Sequence, residues 1–215
     1  LAILRLSGPT AWEAARTLTG GTLPPPRQAA LRRFRDPESG AVLDEGLLLL
    51  FEAGASATGE KVAEFHVHGS AAVVAALTDR LARMSGLRLA EPGEFTRRAL
   101  EANRLDLTQI EGLGDLLHAE TEAQRRQAVR VMTGEVSERV QGWRVELIRA
   151  RSLLEVMIDF SDEDVPEDTR ADAARILARV GREIGAQLAG AGAAQRIRDG
   201  FEVAILRRPN AGKST

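Results

Sequence analysis

The chain contains no cysteine. That absence excludes a disulfide framework, a zinc–thiolate site and a thiol nucleophile. Long apolar runs are missing too: nothing approaches the roughly 20 consecutive apolar residues that a membrane-spanning helix needs. The opening segment LAILRLSG is too short for a secretory signal, and no basic segment precedes it. An excess of one charge sign is also lacking. The formal net charge is −2, so no global field draws the chain to nucleic acid, and such a role would need a local patch or a partner. These absences predict a cytoplasmic protein without a membrane segment.

What is present supports a folded chain. The sequence has 215 residues, 44% of them hydrophobic and 28% charged, enough to bury a core in one large domain or two small ones. The first part, 1–102, mixes strand-like and helical pieces. LAILRLSG reads as a strand, PTAWEAARTLTGG as a helix stopped by Gly20 and Gly21, and LPPPRQ as a stiff extended connector. AVLDEGLLLLFEAG and the alternating KVAEFHVHGS read as strands, and AAVVAALTDRLARMSG as an amphipathic helix ended by Gly86. This mixture predicts an α+β or α/β domain.

The second part, 103–199, is almost wholly helical. Val136, Val140, Trp143, Leu147, Ala150 and Leu154 recur at alternating steps of four and three, one seam of a long helix. Ile176, Leu177, Val180, Ile184 and Leu188 mark another amphipathic helix, and an antiparallel helical bundle is the expected architecture. Between them lies the acidic DFSDEDVPEDT. It lacks the calcium-loop pattern and reads as a solvated connector whose later acids favour the start of the next helix. The arginines of AQRRQAVRV read as a solvated helix face.

The third part, 200–215, is FEVAILRRPNAGKST following Gly200. An apolar strand runs straight into a glycine–lysine–serine turn, the order of a phosphate-binding loop. The full pattern is G-x-x-x-x-G-K-[ST], in which backbone N–H groups surround the phosphates, lysine neutralises charge and the hydroxyl binds magnesium. Gly212, Lys213 and Ser214 match, whereas Arg207 stands at the first glycine position. Elsewhere, strand alternation places Glu64, His66 and His68 of EFHVHG on one face. Two histidines and a carboxylate can bind zinc, but no third-ligand spacing accompanies them, so structural or pocket-lining histidines are the preferred reading.

Seven stretches carry a family resemblance: ILRLSGP, LPPPR, ATGEKVAEFHVHGS, EPGEFTRRAL, NRLDLTQIEGLGDLLHAETEAQ, IDFSDEDV and RRPNAGKST. In order and separation they resemble the tRNA-modification GTPases called MnmE or TrmE, and the likeness extends over essentially the whole chain. The resemblance implies an N-terminal folate-binding and dimerisation domain of α+β type, then a helical-bundle domain into which a Ras-like GTPase domain is inserted. Only the first strand and phosphate loop of that GTPase domain fall within the chain. It further implies a homodimer, a flavoprotein partner, MnmG, and joint modification of the wobble uridine of tRNA with a one-carbon unit from formyl- or methylene-tetrahydrofolate. GTP hydrolysis would depend on K⁺ and on dimerisation of the GTPase domains.

Residue by residue, Arg5 matches the family's folate-contacting arginine and Glu64 its folate-contacting glutamate. Arg104 stands where the family usually has lysine. A guanidinium can hold the acidic tail of folate, and a carboxylate can accept from the amino-pyrimidine edge of the pterin. Asn210, Ala211, Gly212, Lys213, Ser214 and Thr215 form the implied GTP site, with Asn210 toward K⁺ and Ser214 toward Mg²⁺. No catalytic residue is assigned within these 215 residues. Because Leu1 is no initiator methionine and the switch regions and guanine-specificity motif are not encoded, the expectation is a fragment, inactive as a GTPase, of an active parent. The alternative is a non-catalytic folate-binding and dimerisation module with a decayed GTPase; a third reading, a standalone aminomethyltransferase similar to the glycine-cleavage T protein, is opposed by the long helical bundle and the phosphate-loop remnant.

Overall fold

The computed structural model describes residues 1–159 and 168–200. The chain divides into two compact units, the first Leu1–Asp106 and the second beginning at Leu107.

The first unit is built on one four-stranded antiparallel sheet in the order β1-β4-β3-β2: β1 (Ala2–Ser7), β2 (Ala30–Arg35), β3 (Val42–Phe51) and β4 (Val62–Val67). Helices α1 (Ala11–Thr19) and α2 (Ala71–Ala82) contribute to its core, and a short helix, α3 (Glu94–Glu101), follows. Alternation along the strands sends Leu6, Leu48, Leu50, Ala63 and Phe65 into that core, where Ala11, Ala14, Ala15 and Leu18 of α1 and Leu77 and Leu81 of α2 join them. Alanines at the buried positions of α1 let the helix lie close to the strands. Gly20, at φ 76, ends α1 in the left-handed region and donates its N–H to the Arg16 carbonyl. Phe34 and Phe65 meet edge to face at 5.2 Å, a geometry worth about 0.5–1.5 kcal/mol beyond burial.

The opposite face of the sheet carries the alternate residues. Arg5 of β1 pairs in register with Glu64 of β4, and Ile3 with His66, which in turn pairs with Leu47 of β3. Ile3, Leu31 and Leu47 on this face are exposed. The strand pattern of the sequence does not mark β2, an edge strand whose ALRRFR carries three arginines among its six residues. Charged side chains on an edge blunt its tendency to pair with another chain, and they also mask the apolar alternation.

The second unit is helical: α4 (Leu107–Leu117), α5 (Glu122–Met132), α6 (Glu135–Asp159) and α7 (Asp168–Asp199). Gly112 lets α4 and α5 touch backbone to backbone, since a methyl group there would lie 2.5 Å from the Met132 nitrogen. Thr121 and Gln124 form a reciprocal capping box at the start of α5. Helices α6 and α7 run antiparallel, as three pairings along their length require: Trp143 Nε1 donates to Glu183 at 2.8 Å, Arg179 pairs with Glu146, and Ala150 packs in one cluster with Ile176 and Val180. Of the six seam residues expected on α6, Trp143 and Ala150 join this cluster, together with Leu153. Val136, Val140, Leu147 and Leu154 stay exposed, because α7 covers a stripe narrower than the apolar face. At the far end of α7, Gln127 Nε2 donates to the Ala194 carbonyl, Gln124 Nε2 to the Arg198 carbonyl, and Arg198 Nε to Asp115.

Candidate functional site

The register of β1 against β4 creates the site. Arg5 and Glu64 are direct partners across the two strands, and Arg5 Nε donates to Glu64 Oε1 at 2.7 Å. His66, two residues along the same face of β4, lies with Nε2 at 3.1 Å from Glu64 Oε2. Both carboxylate oxygens are therefore engaged, by different elements. Glu64 is 8% exposed, so the bonds that satisfy its charge are stronger than they would be in water.

Arg5 also lies over the Phe95 ring, with its guanidinium carbon 5.9 Å from the ring centroid. It forms one wall of a cavity of about 220 Å³ bounded by Leu4 and Leu6 of β1, Leu81 of α2, the segment 86–90, and Glu94, Phe95 and Arg98 of α3. Apolar side chains and an aromatic ring make up much of that lining, and the polar groups converge at the end held by α3.

Those polar groups form a connected network. Glu94 accepts two bonds from Arg88, two from Arg98 and one from the Glu91 N–H. The residue is 4% exposed. The hydrogen bonds from Arg88, then the Glu91 N–H and Arg98, hold its carboxyl down at about 2. The same contacts push the Arg88 and Arg98 guanidiniums up. Arg98 reaches on to Glu60 at 2.8 Å, and Glu60 accepts from Ser7 at 2.8 Å, two residues along β1 from Arg5.

Arg104 comes from a different local device. Asn103 adopts the left-handed conformation at φ 52 just beyond α3, and the Arg104 N–H returns to the Ala99 carbonyl at 2.8 Å. Its side chain then donates from Nε to the Ser56 carbonyl at 3.2 Å, while Ser56 Oγ donates to the Glu60 carbonyl. The structure thus joins Arg5 and Glu64 directly. Arg104 is tied to the loop that carries Glu60, and of the three residues only Arg5 bounds the 220 Å³ cavity; Glu64 and Arg104 are not among its lining. His68 turns to Asp44 instead of Glu64, with its N–H and Nδ1 each 2.9 Å from a carboxylate oxygen. Among the described residues no group of three or more His, Asp or Glu converges as a metal site. Arg207, Asn210, Ala211, Gly212, Lys213, Ser214 and Thr215 lie outside the described residues, as does most of the acidic connector.

Sequence reasoning missed Glu94, Phe95, Arg88 and Arg98 as site residues, although EPGEFTRRAL was singled out as a motif. The available signal was local. Gly93, at φ 78, opens α3 and sets Glu94 in its first turn, and Arg98 follows at the i+4 position.

Comparison with known proteins now fits this geometry to a class. Residues 1–104 match the family model described as the N-terminus of the GTP-binding protein TrmE, and residues 107–205 match that of the MnmE helical domain. The chain carries the first two domain types of a TrmE-like protein. Full-chain similarity reaches further: it is 55% identical over 215 residues to the tRNA modification GTPase MnmE of Dinoroseobacter shibae, 54% to that of Roseobacter denitrificans and 56% to that of Cereibacter sphaeroides. Each alignment covers all of this chain and 50% of the relative, so the chain spans about half the length of the curated relatives it matches. The chain belongs to the MnmE (TrmE) family.

Proposed function

We propose that the full-length protein is a K⁺-activated GTPase that acts with a flavoprotein partner on the wobble uridine of tRNA, and that these residues form its tetrahydrofolate-binding and helical scaffold. The observation that carries the folate reading is the Arg5–Glu64 pair, a part-buried cation and carboxylate whose arginine bounds a cavity that the Phe95 ring also lines. The donor set fits that cofactor by its chemistry. A carboxylate accepts from the amino-pyrimidine edge of a pterin, a guanidinium holds an acidic tail, and Phe95 offers a face to a flat ring. Formyl- or methylene-tetrahydrofolate supplies a one-carbon unit when bound. Arg5 and Glu64 orient the ring system, and Arg104, tied from beyond α3 to the Ser56 carbonyl, serves the tail. Two copies of the first unit form the homodimer in the cytoplasm.

In this reading Lys213 and Ser214 serve GTP and Mg²⁺, with Asn210 toward K⁺, while hydrolysis needs segments these residues do not encode. The chain alone is expected to give no GTP turnover, and measurable phosphate release would refute that. Calorimetric titration with formyl-tetrahydrofolate tests the folate reading: heat of binding is expected for the unmutated chain and its loss in Glu64→Ala. Absence of heat with the unmutated chain removes the assignment.

A second reading is favoured by one residue. Arg207 in place of the first loop glycine opposes the tight turn around the phosphates, as in a folate-binding and dimerisation module whose GTPase has decayed. The parental coding sequence beyond Thr215 separates the two: an intact N-K-x-D guanine motif supports the enzyme, and its absence the module.

A further inference from the structure

We infer that His66 is a positioning residue for Glu64, fixing the plane of that carboxylate so that it presents two parallel acceptors to a ligand edge bearing two N–H donors. The inference rests on the folate reading of this site. A carboxylate has about four lone-pair positions. Arg5 Nε takes one on Oε1 and His66 Nε2 one on Oε2, which leaves one on each oxygen. With a single clamp the carboxylate rotates about its last torsion, which is broad and weakly restrained. With a clamp on each oxygen it cannot rotate without breaking one of them. A fixed carboxylate meets a donor pair such as an amino group and an adjacent ring N–H without a further loss of conformational freedom.

The placement of His66 suits this role. Its side chain is 25% exposed although it lies on the face with exposed Ile3 and Leu47, its register partners on either side. Those two apolar neighbours supply no competing donor or acceptor from their side chains. Because the ionised carboxylate only accepts, the bond requires the proton on Nε2.

The same neighbours make an apolar replacement tolerable, which gives the test. His66→Leu keeps the bulk and removes the donor, whereas His66→Gln places an amide N–H where Nε2 stood. In calorimetric titration of the 215-residue chain with formyl-tetrahydrofolate, His66→Leu is expected to weaken binding about tenfold and His66→Gln to restore it to within about threefold of the unmutated chain. Equal affinity of His66→Leu and the unmutated chain overturns the inference while leaving the folate reading intact, provided Glu64→Ala abolishes binding. Equal weakening in the Leu and Gln variants also overturns it, since the donor would then not be what matters. No binding by the unmutated chain overturns both. A long-range proton–nitrogen NMR spectrum of the unmutated protein with isotopically labelled histidine reads the tautomer without a variant. The Nε2–H form is expected, and a dominant Nδ1–H form overturns the inference.

Discussion

Replacing Gly46 by alanine is the sharpest probe of how the sheet supports its charged face. A methyl group at Gly46 would lie 2.2 Å from the His66 carbonyl oxygen, 3.2 Å from its carbon and 3.3 Å from Phe34 Cε2. The 2.2 Å approach is 0.8 Å short of the 3.0 Å below which real contacts of this kind essentially do not occur. The clash is with backbone in an interior strand, held by β1 on one side and β3 on the other. It cannot be relieved by turning a side chain. Overpacking of this type costs about 1–3 kcal/mol. Stretching one or two ladder hydrogen bonds adds about 1 kcal/mol each. The smaller conformational freedom of alanine in the unfolded chain returns about 0.4–1 kcal/mol.

The net destabilisation of the first unit is about 1–5 kcal/mol, at roughly 4–8 °C in Tm for each kcal/mol in a unit of this size. The chain has two tryptophans, one in each unit. Trp12 donates from Nε1 to the Val62 carbonyl at 3.0 Å, and Trp143 sits on α6. In a Trp143→Phe background, Trp12 fluorescence during urea unfolding reports the first unit alone. A lower midpoint with an unchanged slope is expected. An unchanged or raised midpoint would refute the argument, because it would mean that β3 and β4 separate at no cost.

Three further outcomes are expected. Glu94 has its folded pKa depressed to about 2, so its stabilising contribution is complete above the unfolded carboxyl range near 4.3 and is lost as pH falls through about 2. Acid unfolding of the first unit, followed at Trp12, should therefore be less steep between these limits in Glu94→Gln, and an identical acid profile would contradict the network. Gly112→Ala is expected to push α4 from α5 and destabilise the second unit by about 1–3 kcal/mol, read as a lower urea midpoint at Trp143. Thr121→Ala removes one half of the capping box and is expected to cost about 1 kcal/mol, measurable in the same transition, while Thr121→Ser should retain most of it.

Legibility followed the range of the interactions. The alternation of VAEFHV named the faces of β4 correctly, because side-chain direction along a strand is a local property. That Arg5 would face Glu64 depended on β1 pairing with β4, 59 residues away, and no spacing in the sequence encodes that register. The resemblance named both residues, while strand pairing alone brings them into contact. The Glu94 network was obscured for a different reason. A glutamate at a helix start reads as an ordinary dipole-complementing acid, and only the fold brings Arg88 and Glu60 to it. The seam of α6 was legible as a helix period but not as a contact, since which part of an apolar face meets α7 depends on the crossing geometry.

The clasp at the far end of α7 has its own consequence. The last carbonyls of a helix normally lack intrahelical partners and fray first. Here the Gln124 amide holds one of them, the Arg198 carbonyl, the Gln127 amide adds a bond to the Ala194 carbonyl one turn earlier, and Asp115 anchors the Arg198 side chain. Those turns open only if the α4–α5 hairpin lets go, so amide exchange should slow toward Gly200 instead of quickening. Tension applied to the chain there would be borne by the short hairpin before it could unwind the long helix.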